Sequence, residues 1–324
     1  MRRIFIFTAL LFPFLGNTQV KSTSTVQMDL VSEIKSSTSL GFTLNPIIVN
    51  GAGGLIYYSF GGSFNAMNIA NKFNLFTEYN LNTGRYDKNN NEYSYKSLDF
   101  DKKNANLFEF TIGYTFDEAK NNTEKTLTLA KVANTNYITN IKAKELVSKI
   151  IRVGYNHQGQ FLSGTFEPVG VGQTNYMIYN PINNLIFGYQ NVNSLKSIYK
   201  TDKFGTVHAA YQDCYYIDLL VALPNSFTYI ENKEQSTTSN PVLTPDLSMI
   251  QQNEFRENFR KSPIGFRAGY KTFSSTSKQD FLRYSFGIEV GSNTGYYQSS
   301  KSFGISSLFQ WKITFGIGFL QSLK

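Results

Sequence analysis

The sequence predicts an all-β protein whose strands close into an antiparallel barrel that spans a membrane. Three observations predict this fold. Apolar and polar residues alternate along most of the chain, the alternating segments have about the length of a tilted membrane-crossing strand, and an apolar N-terminal segment is typical of an export signal. Aromatic residues make up 15% of the chain, so it is not a disordered polypeptide.

The first residues predict a secretory signal peptide. Arg2 and Arg3 form a short basic segment, and residues 4–16 are almost entirely apolar. This apolar stretch is too short for a membrane-spanning helix, which needs about 20 residues. Cleavage is expected after Thr18 or Gln19, because the residues there are small or polar. The sequence therefore predicts a signal peptide over 1–19 and a single barrel domain over 20–324.

Alternation with a period of two is clearest near the C-terminus. Every second residue is apolar from Leu282 to Val290 and again from Phe309 to Phe319, with charged, polar or small residues between. Successive side chains of a strand point to opposite faces, so each segment has one apolar and one polar face. A strand with its turn takes roughly 25 residues, which predicts about 12 strands, with about 10 to 14 allowed. The candidate strands are 38–46, 54–62, 71–82, 106–116, 148–157, 174–180, 184–191, 206–223, 263–273, 280–291 and 307–319, with weaker ones at 24–32, 92–99, 125–133 and 295–304.

A soluble β-sandwich would alternate in the same way, because it buries one face of each sheet against the other. Aromatic residues at the ends of the segments favour the membrane barrel, in which they lie at the two lipid–water interfaces. Charges and glycines on the polar face also fit a lumen. A closed barrel is the sheet that lipid tolerates, since closure leaves no unpaired edge. A secreted soluble β-protein is the alternative.

Long polar insertions between the strands predict extracellular loops. They lie at 87–106, 117–125 and 231–262. The last one contains a predicted short helix within 244–261, with Thr244 as its N-cap and Pro245 at its first position. In a barrel this insertion either folds inward as a plug or packs over the outer end as a cap.

The polar face assigns a set of charged residues to the lumen. Burying such charges singly would cost several kcal/mol each, so they must pair or stay hydrated. Two interpretations remain open: a salt-bridged network that fills a narrow barrel, and a mildly basic, water-filled pore that favours anions. The candidate lumen charges are Arg152, Arg267, Lys271, Arg283, Lys312, Glu78, Glu109, Asp218 and Glu289.

Few residues are available for metal or catalytic chemistry. The chain has one cysteine, Cys214, and two histidines, which excludes a disulfide framework and a cysteine zinc cluster; no metal or cofactor is predicted. Barrel lipases pair a histidine with a serine two residues later, but Gly159 follows His157 and Ala210 follows His208 at that spacing. Catalysis is therefore not expected. Export argues against nucleic-acid binding despite the formal charge of +8.

The last segment has aromatic residues at alternating positions, including Trp311, Phe315 and Phe319. With the export signal and the aromatic-rich strands, the chain resembles Gram-negative outer-membrane β-barrel proteins, and its content of Asn, Lys and Ser is similar to that of the Bacteroidetes group. The resemblance implies that the barrel-assembly machinery reads these three residues. It also implies an outer-membrane location, in contact with lipid and lipopolysaccharide. Residues 320–324 depart from the pattern, because the class ends on the aromatic.

The first functional hypothesis is a passive or substrate-selective channel for small hydrophilic solutes. The alternative is a non-conducting structural or accessory barrel of an envelope, secretion or adhesin assembly, whose partners would be envelope proteins. A lipid-modifying outer-membrane enzyme is the third hypothesis.

Overall fold

The computed structural model describes residues 19–22, 26–34, 38–52, 55–69, 72–87, 92–94, 107–132, 135–166, 174–224, 228–230, 259–275, 282–298 and 309–322. Almost all of these residues lie in strands, and no helix long and apolar enough to cross a membrane occurs among them. The strands are β1 (Gln19–Ser22), β2 (Met28–Glu33), β3 (Ser39–Ala52), β4 (Leu55–Ile69), β5 (Phe73–Asp87), β6 (Glu92–Ser94), β7 (Leu107–Val132), β8 (Thr135–Phe166), β9 (Thr174–Thr201), β10 (Gly205–Ala222), β11 (Thr228–Ile230), β12 (Phe259–Ser262), β13 (Ile264–Ser275), β14 (Leu282–Ser292), β15 (Gly295–Gln298) and β16 (Phe309–Ser322).

Ten strands close into an antiparallel barrel, in the order β3, β4, β5, β7, β8, β9, β10, β13, β14 and β16. Each pairs with the next, and β16 returns to pair with β3, so the predicted closed all-β barrel is confirmed. The predicted number of about 12 strands is not confirmed, since the count lies at the lower end of the range. The reason is strand length, because β7, β8 and β9 have 26, 32 and 28 residues. The prediction divided these residues among a larger number of shorter strands.

Apolar side chains cover the outside of the barrel, and every one of its ten strands contributes to them. Ile217 is 64% exposed and Phe266 61%, values that would be unusual for a face packed against protein. Aromatic residues on neighbouring strands contact each other there, with ring centroids 4.8 Å apart for Tyr215 and Tyr270. We call this surface the outward apolar face; it comprises Phe42, Leu44, Ile47, Tyr58, Phe60, Phe64, Ile69, Phe73, Tyr79, Phe108, Ile112, Tyr114, Phe116, Ile151, Val153, Leu185, Phe187, Tyr189, Tyr215, Ile217, Leu219, Ile264, Phe266, Tyr284, Phe286, Ile288, Val290, Phe309, Phe315, Ile317 and Phe319.

Two of the predicted insertions differ from the structure where it describes them. Residues 117–125 do not form a loop, because they continue strand β7, which pairs with β8 as far as Val132 and Thr135. Residues 259–261, at the end of the predicted helix, belong to strand β12, which pairs with β15. The remainder of the predicted helix, at 244–258, lies outside the described residues, as do residues 1–18 of the predicted signal peptide.

A small β-sandwich continues the barrel at one end. The β8–β9 ladder ends at Leu146 and Ser194, and beyond that point β7–β8 and β9–β10 separate as two hairpins. The N-terminal segment adds β1 to β8 in parallel and β2 to β9 in antiparallel. The two three-stranded sheets enclose a core of their own, formed by Leu127, Leu129, Ile141, Ala143, Leu195, Tyr199 and Val207. We call this unit the end sandwich.

Candidate functional site

Arg267 is the centre of an ion-pair cluster inside the barrel. Its side chain is only 3% exposed. Its Nε donates to Asp218 at 2.7 Å, and its Nη1 donates to Glu109 at 2.6 Å and lies 3.5 Å from Glu289. Glu109 is on β7 and Arg267 on β13, four strands apart around the ring of ten. This ion pair therefore crosses the lumen.

Asp218 joins Arg267 to a second buried arginine. Arg152 donates from Nε to Asp218 Oδ1 at 2.8 Å and from Nη2 to Oδ2, an arrangement in which both guanidinium bonds run side by side. The guanidinium carbon of Arg152 also lies 4.4 Å from the ring centre of Tyr216, at cation–π distance. Asp218 is 1% exposed, so both arginines are needed to offset the removal of its carboxylate from water.

Lys312 is the third cation of the cluster and pairs with two of its carboxylates. Its Nζ lies 3.1 Å from Glu78 Oε1 and 3.6 Å from Glu289 Oε2, and Glu289 also accepts a hydrogen bond from the Tyr216 hydroxyl. Glu78 and Glu109 are direct neighbours in the β5–β7 ladder. Two carboxylates in such a position repel each other, so Lys312 and Arg267 are required to hold them together.

Of the remaining two predicted lumen charges, Lys271 borders this cluster, since it lines one cavity together with Glu78 and Glu109, and Arg283 lies further along β14. Lys271 faces the inside of the barrel, where its Nζ donates to Ser63 Oγ at 2.9 Å and lies 5.3 Å from the ring centre of Phe273. Arg283 is 4% exposed and lies near the start of β14, at the opposite end of the strand from Glu289. The structure therefore brings seven of the predicted residues together: Arg152, Arg267, Lys312, Glu78, Glu109, Asp218 and Glu289.

An apolar layer crosses the lumen between the ion-pair cluster and the end sandwich. Met67, Ile150 and Val192 are buried there, with Phe76 and Cys214 packed against them. Gln212 Nε2 lies 3.1 Å from Met67 Sδ, and their strands β10 and β4 are on opposite walls. Side chains thus divide the lumen at two levels. Cavities of about 80 and 20 Å³ remain beside the cluster, enough for a few water molecules.

Close packing inside the lumen depends on glycine at one position. Tyr216 lies across Gly269, its partner in the β10–β13 ladder, and a Cβ atom at 269 would be 2.3 Å from the tyrosine ring. The absence of a side chain lets the ring lie over Gly269, where the guanidinium carbons of Arg152 and Arg267 are 4.4 and 5.7 Å from its centre. Tyr216 was not predicted from the sequence, because an apolar–aromatic alternation does not distinguish an inward tyrosine from an outward one.

The predicted assembly-signal residues lie on the barrel's closing strand. Phe315 and Phe319 belong to the outward apolar face, at 43% and 42% exposure. Trp311 lies over Gly51, its ladder partner on β3. Residues 320–322, which depart from the class pattern, continue the pairing with the first residues of β3 and so take part in closure.

The two histidines lie in different parts of the structure. His157 Nδ1 is 2.7 Å from Asn183 Oδ1, which also accepts a hydrogen bond from the Tyr155 hydroxyl at 2.6 Å. His208 is on β10 within the end sandwich. The described part of the chain contains no group of three or more His, Cys, Asp or Glu side chains that would hold a metal ion.

Contacts between its two sheets hold the end sandwich together. The Tyr211 hydroxyl donates to Glu145 Oε1 at 2.5 Å, and Lys125 Nζ lies 4.7 Å from the centre of the same ring. Tyr199 donates to the carbonyl oxygen of Lys142 at 3.3 Å. Burial and the hydrogen bond to Glu145 raise the pKa of Tyr211 well above its usual value.

This shift predicts that the end sandwich loses stability in alkali. A phenol whose pKa is raised by folding stabilises the fold fully below its unfolded pKa of about 10, and this stability is lost as the pH rises above that value. At pH 8, Tyr211→Phe should lower the free energy of unfolding by about 1 kcal/mol, because the substitution removes the hydrogen bond to Glu145. The same substitution should remove much of the loss of stability at alkaline pH, because phenylalanine does not ionise. Proteolysis of the hairpins between pH 8 and 12 would measure this. Tyr79→Phe, on the outward apolar face, is the control; an unchanged alkaline profile in Tyr211→Phe would contradict the assignment.

No protein-family model matches this chain, and a search of curated proteins finds no match to it.

Proposed function

We propose that this protein is an outer-membrane barrel that does not conduct, and that it anchors the end sandwich at the periplasmic side of the membrane. One observation carries the proposal: side chains from opposite walls touch each other across the lumen. Arg267 reaches Glu109 at 2.6 Å, and Gln212 reaches Met67 at 3.1 Å. These contacts support the accessory-barrel hypothesis over the channel.

The outward apolar face supports a location in lipid. A barrel in water would expose polar side chains there, whereas in lipid the same apolar surface is favourable and closure satisfies the backbone. The fold is compatible with an outer-membrane protein, and the class resemblance points the same way.

The connections between strands support the orientation. At the end that carries the sandwich, β4 and β5 are joined by residues 70–72 and β9 and β10 by residues 202–204. At the other end, residues 95–106 separate β6 from β7, and residues 231–258 separate β11 from β12. Bacterial barrels have short turns in the periplasm and long loops outside. The end sandwich is therefore assigned to the periplasm, where envelope proteins would meet it.

The channel is the second candidate, and the two cavities beside the ion-pair cluster favour it. Both are lined by charged side chains, Glu109, Arg152 and Lys271 on one side and Arg267, Glu289 and Lys312 on the other. If the ion-pair cluster rearranged, these two cavities would become part of a path for solutes through the lumen. Apart from Lys271, which donates to Ser63, these charges are held in ion pairs inside the barrel, which is typical of a closed interior.

Conductance in a planar bilayer tests the proposal. We expect the purified mature protein to give no conductance steps under asymmetric salt, because the lumen is divided at two levels. A shift in electrophoretic mobility on heating would show that the barrel is folded, and an open porin in the same bilayers would be the positive control. Reproducible steps with a shifted reversal potential would overturn the proposal in favour of the channel.

A further inference from the structure

The separation of β8 from β9 creates two strand edges, and the N-terminal segment pairs with part of each. Beyond Leu146 and Ser194 neither strand pairs with the other. β1 pairs with residues 135–138 of β8, and β2 pairs with residues 197–201 of β9. Residues 26–34, which contain β2, form what we call the strap. An edge strand without such cover would be a template for pairing with another chain.

The strap matches its edge in apolar contacts and in charge. Val26 and Met28 pack against the core of the end sandwich. Glu33 forms an ion pair with Lys144 at 3.0 Å, and Asp29 is opposite Lys200 in the ladder. The surface is therefore apolar and basic, and the segment seated on it is apolar and acidic.

The strap is held less firmly than the strands around it. β2 has six residues, and a bulge between Leu30 and Ser32 interrupts its pairing. Leu30 is 46% and Val31 is 61% exposed, and they are the two exposed large hydrophobic residues of the described chain that lie away from the barrel strands. In contrast, β9 pairs with β10 without interruption from Asn184 to Thr201.

We propose that residues 197–201 of β9 are a strand-addition surface that binds an extended acidic and apolar segment of a partner protein in exchange for the strap. The proposal deepens the proposed function, since it names how the end sandwich would hold an envelope partner. Main-chain hydrogen bonds would supply the binding, and Lys144 and Lys200 would select acidic side chains. Lipid is not the occupant, because Tyr199 lies about 30 Å along the strand from Tyr189 on the outward apolar face.

A labelled peptide of residues 26–34 tests this surface in the full mature protein in detergent, with fluorescence anisotropy as the measurement. In the wild type the strap competes as an intramolecular ligand, so we expect weak binding.

Met28→Asn removes the strap's apolar anchor, while the peptide keeps its own methionine. This variant should bind the peptide about tenfold more tightly than the wild type. A peptide with Asp29→Lys and Glu33→Lys should bind at least about tenfold more weakly.

A disulfide lock gives a matched control within one protein. Ser32 and Ile198 are partners in the ladder, so their Cα atoms are at a separation that a disulfide spans, and replacing them leaves Lys144 and Lys200 in place. In Ser32→Cys, Ile198→Cys with Met28→Asn and Cys214→Ser, the oxidised form should not bind the peptide and the reduced form should. Equal binding by both forms would overturn the proposal, as would absence of binding to a folded Met28→Asn variant. A conducting barrel that still exchanges its strap would overturn the proposed function alone.

Discussion

Replacing Arg267 with methionine is expected to lower the free energy of unfolding by about 3–5 kcal/mol. Methionine fills a similar volume but leaves Glu109 without its cation and Asp218 with one arginine instead of two. An unpaired carboxylate in a buried site loses its hydration without compensation, so the cost is large. Urea unfolding in lipid vesicles measures it, and the single tryptophan, Trp311, reports the transition from its place on β16.

An exposed ion pair of the same chain is the matched control for Arg267. Lys149 lies 2.8 Å from Asp117, but their side chains are 44% and 46% exposed. Lys149→Met should therefore cost less than about 1 kcal/mol. Adding Glu109→Gln to Arg267→Met should recover part of the loss, because the amide needs no cation. A loss below about 1 kcal/mol for Arg267→Met would contradict a buried network and point to a hydrated lumen.

Placing a lysine at Ile217 is expected to destabilise the protein by about 2–4 kcal/mol in lipid. Ile217 has the highest exposure of the large hydrophobic residues on the barrel, at 64%, and lies between Tyr215 and Leu219 on the outward apolar face. In water such an exposed position would accept lysine with little change. In lipid the ammonium loses its hydration, and the cost depends on its depth. Unfolding in vesicles and the yield of folded protein measure the effect.

Val31 is the control position for this experiment. It is 61% exposed, close to the value for Ile217, but it lies on β2 away from the barrel. Val31→Lys should change the stability by no more than about 0.5 kcal/mol. If Ile217→Lys were as mild as Val31→Lys, the outward apolar face would not contact lipid, and the secreted soluble β-protein would become the better interpretation.

Much of the candidate site follows from local alternation. The period of two assigns Glu289 to one face of β14 and Ile288 to the other, because successive side chains of a strand point in opposite directions. The same rule assigns Arg267 and Phe266 to opposite faces of β13. In the structure the charged residues are buried inside the barrel and the apolar ones are exposed outside. Where charged and apolar residues alternate, facing is a local property, so one chain segment is sufficient to predict it.

Partners and strand number are not local properties. Arg267 meets Glu109 across 158 positions of sequence, a contact that exists because the ladders close with a particular register. The end sandwich was not predicted, for a related reason. Residues 117–125 are polar at nearly every position, a pattern that indicates a loop. In the structure they form a strand, because pairing with β8 satisfies their backbone hydrogen bonds.

The sequence by itself therefore determined the fold class and the opposite facing of charged and apolar residues where the two alternate, since both follow from the alternation of side chains along each strand. The tertiary structure alone decided how many strands close the barrel, where β8 leaves β9, and which charges meet across the lumen. These depend on hydrogen bonds and ion pairs between residues far apart in the chain, whose energies no single segment contains.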